Sequence, residues 1–210
     1  MTSMKCIFSL RRTALLAAAL GLTALLGACA PLVVGGSMVG GAMSFTDRRT
    51  SGAQVEDKGI EIKAMGPISA VTAGHVSVTS YNRTVLITGE VPTEAERLAV
   101  DKAVAKIENV RATFNELAVA GNSSLKDRSS DLIVSSKVWA SYIDAKDLQS
   151  NAIKVVAERG TVYLMGRVTE REAGRAIELA RAVTGVTKVV RLFEVITEAE
   201  LARLQPPASK

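Results

Sequence analysis

The chain has 210 residues, 48% hydrophobic, 22% charged and 4% aromatic, with two Cys and one His. That is room for one ordinary domain or two small ones, too apolar for a disordered chain, with a core built mainly from Val, Ile, Leu and Ala. The net charge of +5 suggests nucleic acid only until it is located. Lys5, Arg11 and Arg12 lie in the first 28 residues with no acidic residue, which leaves 23 basic against 21 acidic groups, or +2, in the remainder. No dense basic stripe of the kind nucleic acid requires is visible there.

Behind the positive start, Thr13 to Leu26 is apolar or small throughout. A charged leader before an apolar middle reads as a secretory signal, and the stretch is shorter than the ~20 apolar residues of a membrane span. It ends Leu26-Gly27-Ala28-Cys29, which resembles the lipobox of bacterial lipoproteins. Small residues admit a peptidase to the backbone, and the thiol is the nucleophile that can take a diacylglyceryl group. The resemblance implies cleavage after residue 28 and lipidation of Cys29. With Ala30 rather than Asp next, it also implies the outer membrane, facing the periplasm. Removing residues 1–28 also removes Cys6, so no intrachain disulfide can form.

Residues 29–53 begin with a small, Gly-rich stretch (APLVVGGSMVGGAMSFT over 30–46) that has no strand or helix period. They read as a lipidated Cys and a flexible tether. Beyond them the sequence repeats itself. Val76–Ser80, turn residues Tyr81-Asn82-Arg83 and Thr84–Val91 match Ile153–Ala157, Glu158-Arg159-Gly160 and Thr161–Val168, with Gly89 and Gly166 lying 77 residues apart. Each pair of β-branched-rich runs around turn residues predicts a β-hairpin. A helix follows each, opened by Thr93-x-x-Glu96 and Thr169-x-x-Glu172, both with capping-box spacing. The helical period selects Ala95, Leu98, Ala99, Ala103 and Ile107 as one buried stripe, and Ala173, Ala176, Ile177, Ala180 and Val183 as the other. Thr113–Val119 and Val189–Ile196 are closing strands. The expected fold is α+β: two tandem small α/β sandwiches of helix–hairpin–helix–strand form, over residues 54–121 and 128–197, with a tail over 198–210.

Val162-x-Leu164-x-Gly166-x-Val168, Gly185-Val186-x-x-Val189 after the helix, and Asp47-Arg48-Arg49-Thr50-Ser51-Gly52 before the first unit resemble the BON-domain family, in its dual-domain outer-membrane lipoprotein form. The resemblance implies phospholipid binding and a role in envelope integrity. The first copy departs from the pattern. Its opening segment carries Gly59, Gly66 and Pro67, which predict a short helix ending near Met65, and Asn109 stands where the second copy has Gly185.

Candidates for chemistry are few. His75 lies one residue before a strand and reads as a solvated edge His, without the partners a metal site needs. No phosphate-binding glycine loop or serine elbow is present. Glu94 with Glu96, and Glu170 with Glu172, fit the first turns of capped helices better than acid–base pairs. The reading is therefore a protein without catalytic residues, cofactor or metal.

The informative segment is Asp131–Asp144, capped by Asp131 or Ser130. At about 100° per residue, Val134, Val138 and Tyr142 form one stripe. Leu132, Trp139 and Ile143 form another with Ile133 at its margin, and Lys137 and Lys146 flank it. A surface helix needs one apolar stripe, so the second marks a contact, whether with the first domain, with a second copy of the chain or with an outside partner. It reads as a site for anionic phospholipid, the alternative being a protein partner in outer-membrane assembly or the cell wall. Residues 128–210 hold 13 basic and ten acidic groups against seven and eight in 57–121, which favours the second domain for an anionic surface.

Overall fold

The computed structural model describes residues 47–204. The leader, Cys29 and the Gly-rich stretch to residue 46 lie outside the described residues.

The first domain opens with helix α1, Ser51–Ser69, capped by Thr50, whose side chain accepts from the Ala53 amide. It does not stop near Met65. Asp57, Ile60, Ala64 and Ile68 recur at helical spacing and are buried, and packing that stripe outweighs the poor local propensity. Pro67 is exposed beside that stripe, so the intrahelical bond it removes is lost where water can replace it.

Strands β1 (His75–Tyr81) and β2 (Thr84–Val91) pair antiparallel, Val76 facing Gly89 and Tyr81 facing Thr84. The two-residue turn places Asn82 and Arg83 at φ 49° and 66°, the left-handed pair of a tight hairpin. Helix α2, Glu94–Ala105, returns the chain to β3 (Ala112–Asn115) and β4 (Ala118–Val119), both parallel to β2. The closing run expected over Thr113–Val119 is thus two short strands. The buried stripe of α2 is also rotated from the expected one: Val100 and Val104 are fully buried, whereas Leu98 is 49% exposed. Two β-branched side chains reach the sheet where a run of Ala would leave space. Asn109 takes φ 68°, so it fulfils the left-handed role that Gly185 has in the second copy.

The second domain repeats the plan with α3 (Leu125–Asp144), a short 3-10 turn (Ser150–Ala152), β5 (Ile153–Glu158), β6 (Thr161–Val168), α4 (Glu170–Ala182) and β7 (Lys188–Val195). β5 and β6 are antiparallel and β7 runs parallel to β6. The expected Ala173, Ala176 and Ala180 are fully buried, with Ile177 and Val183 packed against them. Gly166 has a steric reason to be glycine: a Cβ there would lie 2.4 Å from the Ala152 carbonyl oxygen. The segment expected as a tail folds in part into α5 (Glu198–Leu204), with Leu201 buried.

Each sheet has its own helices on one face and the other sheet on its back. Ile60, Ala64, Val85, Ile87 and Val104 belong to the first helix-side core, and Val134, Val138, Tyr142, Val162 and Leu164 to the second. Between the sheets a third core gathers Tyr81, Leu86, Tyr163 and Met165, with Val156, Val190 and Leu192 against it. The alternation along each strand explains this: Val85 and Ile87 point to helices, and Leu86 between them points to the other domain.

Candidate functional site: the outer face of α3

Helix α3 begins at Leu125, six residues before the position expected from Asp131. Ser124 is its cap: its Oγ accepts from the Asp127 amide at 3.2 Å, and Asp127 Oδ2 accepts from the Ser124 amide at 3.2 Å. The hydrogen bonds from the Ser124 hydroxyl and amide hold the Asp127 carboxyl below its ordinary range. The sequence carried this signal as Ser-x-x-Asp, a capping box with the shorter acid. Asp131, freed from capping, accepts from the amides of Arg159 at 2.8 Å and Gly160 at 3.0 Å and so fastens the β5–β6 turn to the helix.

Val134, Val138 and Tyr142 face the core, and Tyr142 donates to the Ala176 carbonyl at 2.9 Å. On the side away from that core, Leu132 is 69%, Ile133 55%, Trp139 46% and Ile143 51% exposed. None of the four belongs to a buried core, and Leu132 also borders the cleft lined by His75, Ser77 and Thr88 of the first domain. The early start adds Leu125, 80% exposed, to the same strip, which the Asp131 boundary concealed.

Polar residues within the strip are less polar than their names. Ser129 donates to the Leu125 carbonyl at 2.8 Å and Ser136 to the Leu132 carbonyl at 2.8 Å, so each hydroxyl's proton is already used by the helix. Lys137 is exposed at the margin and Lys146 is exposed just past the helix end, while Lys126 and Arg128 join the first turn. The result is a helix about 30 Å long, apolar along its outer line, with cations at its edges.

The other polar clusters lie between the domains. Arg48 grips Glu172 with two hydrogen bonds, each 2.7 Å, and donates to the Arg167 carbonyl at 2.8 Å. Burial opposes the charge on Glu172, but Arg48 and the Thr169 amide overcome it and lower the carboxyl's pKa. Arg49 pairs with Asp47 and Asp57 and lies 4.2 Å over the Tyr81 ring. Burial pushes Tyr81 up to about 12. The Asp-Arg-Arg-Thr-Ser-Gly stretch is therefore a fastening with a cap, Thr50, at its end. Lys154 joins in from the second domain, 3.0 Å from Glu61.

The acidic pairs also resolve. Glu94 pairs with Arg97, Glu96 bonds the hydroxyls of Thr72 and Thr93, and Glu170 pairs with Arg191. His75 does lie on the edge strand of its sheet, but it is only partly solvated, its side chain 27% exposed. It is the first residue of β1, and its Nδ1 lies 3.5 Å from Glu90 Oε2 in the fully buried carboxylate of β2. Glu158 completes a cluster whose possible ligand atoms all lie within 4.8 Å of one another. Among the described residues, no helix is long and apolar enough to cross a membrane.

The BON domain model matches residues 62–121 and again residues 130–197. The chain belongs to the BON-domain family. Its two copies are the two helix–hairpin–helix–strand units of the fold. A protein of Haemophilus influenzae, "Outer membrane lipoprotein DolP", is 31% identical over 186 residues, covering 86% of this chain and 95% of that one. The "21 kDa hemolysin" of Actinobacillus pleuropneumoniae is 26% identical over 154 residues, covering 71% and 79%. With these relatives and the leader, the chain is a dual-BON, lipid-anchored outer-membrane protein of the cell envelope.

Proposed function

We propose that this dual-BON lipoprotein, anchored through Cys29, binds anionic phospholipid through the outer face of α3 and so supports envelope integrity without catalysing a reaction. One observation carries the reading: Leu132, Ile133, Trp139 and Ile143 are exposed together on the side of the helix away from its core stripe. A helix with a satisfied inner face gains nothing in its own fold from such a strip, whereas a bilayer interface takes up Trp, Leu and Ile and leaves flanking Lys in the headgroups. Lys137 and Lys146 supply the flanking charge. Trp139, about half exposed, would bury on the order of 100 Å² more, or roughly 2–3 kcal/mol. That is weak alone, but an anchored domain is already held at millimolar effective concentration. The face then selects lipid and orients the domains, while the acyl chains secure residence.

The test uses the leaderless chain with Cys29→Ser and the fluorescence of its single Trp. Vesicles containing phosphatidylglycerol should shift the Trp139 emission to the blue, neutral vesicles should not, and added salt should reverse the shift. Leu132→Asp and Ile143→Asp should abolish it, and Trp139→Ala should abolish cosedimentation. A shift indifferent to headgroup, or unchanged in both Asp variants, would leave the face to a protein partner.

A further inference from the structure

We propose that His75, Glu90 and Glu158 form a divalent-cation site, zinc-like in its ligands, that bridges the two BON domains. The three come from three strands: β1 and β2 of the first domain and β5 of the second. One nitrogen and two carboxylate oxygens all lie within 4.8 Å of one another, close enough to converge on one ion with small side-chain adjustment. Imidazole with carboxylates is a donor set that suits Zn²⁺ and its neighbours better than Mg²⁺.

Two further observations point to a cation there. His75 Nδ1 is shielded from solvent and has no hydrogen-bond partner; 3.5 Å from Glu90 Oε2 is too long for a good bond. The two carboxylates also lie together in one largely buried cluster, Glu90 Oε2 accepting from the Ser123 amide at 3.1 Å. Glu90 is fully buried and Glu158 is 9% exposed. Arg159 reaches Glu90 only at 3.5 Å from a half-exposed side chain, so it can yield to an ion. Entry is open, since a cleft of about 330 Å³ between the domains is bordered by His75, Ser77, Thr88 and Glu158. A cation there would tie the end of the sandwich opposite Arg48 and Glu172.

The site can be tested on the leaderless Cys29→Ser chain, untagged and stripped of metal, by calorimetric titration with ZnCl₂ and with MgCl₂. The expected result is one Zn²⁺ per chain at micromolar or tighter affinity, much weaker Mg²⁺ binding, and a raised melting temperature. Because the chain has a single His, its side-chain ¹⁵N resonances report the ligand directly, and Nδ1 should move on Zn²⁺ addition. Glu158→Gln and His75→Gln should each weaken Zn²⁺ at least about tenfold while circular dichroism stays unchanged. If either fails to fold, the other variant decides. No Zn²⁺ binding below 100 µM, equal affinity for Mg²⁺, a still Nδ1, or variants that bind as the parent does would overturn the site.

Discussion

At the scale of single residues, the two carboxylates that hold the hairpin turns are the least conspicuous and most consequential. Asp57 is 2% exposed. It accepts from Ser80 Oγ, the Asn82 amide and the Arg83 amide, each at 2.7 Å, and from Arg49 at 2.8 Å. Asp131 does the same for the second turn with two bonds. In both copies the opening helix thus pins a turn that the left-handed residues alone would form loosely. Asp57→Ala leaves several buried donors unmet and a guanidinium without its partner, so it should cost about 3–5 kcal/mol in urea denaturation. A loss below about 1 kcal/mol would mean that the turn stands by its own geometry. Neither carboxylate was legible in the sequence, because its acceptors' partners lie 25 to 29 residues further on and no local pattern links them. Gly89 and Gly166 were legible as a repeat, and the structure adds the cause: the carbonyl of His75 in β1 and that of Ala152 just before β5 occupy the space of a Cβ.

At the scale of elements, strands read better than helix limits. The hairpins fall where β-branched runs and turn residues placed them, since period and punctuation are local signals. Helix boundaries depended on what lay outside the window. α1 passes Gly59, Gly66 and Pro67 because Ile60, Ala64 and Ile68 are packed under the sheet, and α3 starts early because Ser124 and Asp127 cap each other. Ser124→Ala should therefore cost about 1 kcal/mol and fray the first turn, releasing Leu125 from the outer strip. Hydrogen exchange should show faster amides at residues 126–128 with protection unchanged at Val138. Equal protection in both chains would place the helix start elsewhere. The double stripe of α3 was legible from spacing alone; that its outer half is uncovered was not, because exposure is decided by how the domains pack.

At the scale of the whole molecule, the sheets lie back to back. Val85-Leu86-Ile87 and Val162-Tyr163-Leu164-Met165 are apolar at every position, as strands covered on both faces are, although in sequence they read only as hairpin strands. What covers them was hidden, since Tyr81, Leu86, Tyr163 and Met165 meet only in the folded chain. The seam is also charged, which makes it sensitive to acid. Glu172 has a lowered folded pKa, so the unfolded chain takes up the proton more readily. Its contribution is complete above the ordinary carboxylate value of 4.5 and is lost as pH falls through the lower folded value. Urea melts between pH 7 and pH 3 should show a shallower acid decline for Glu172→Gln than for the parent chain; parallel declines would show that Arg48 and Glu172 contribute nothing pH-dependent. The same pair governs how mechanical load enters the protein. The chain arrives from its anchor at Asp47 and is riveted one residue later, by Arg48, to the far domain rather than to the helix it is about to start. A pull from the membrane is borne by that rivet across the seam and by the Asp47–Arg49–Asp57 link to α1, so both domains share the strain from the first residues of the fold.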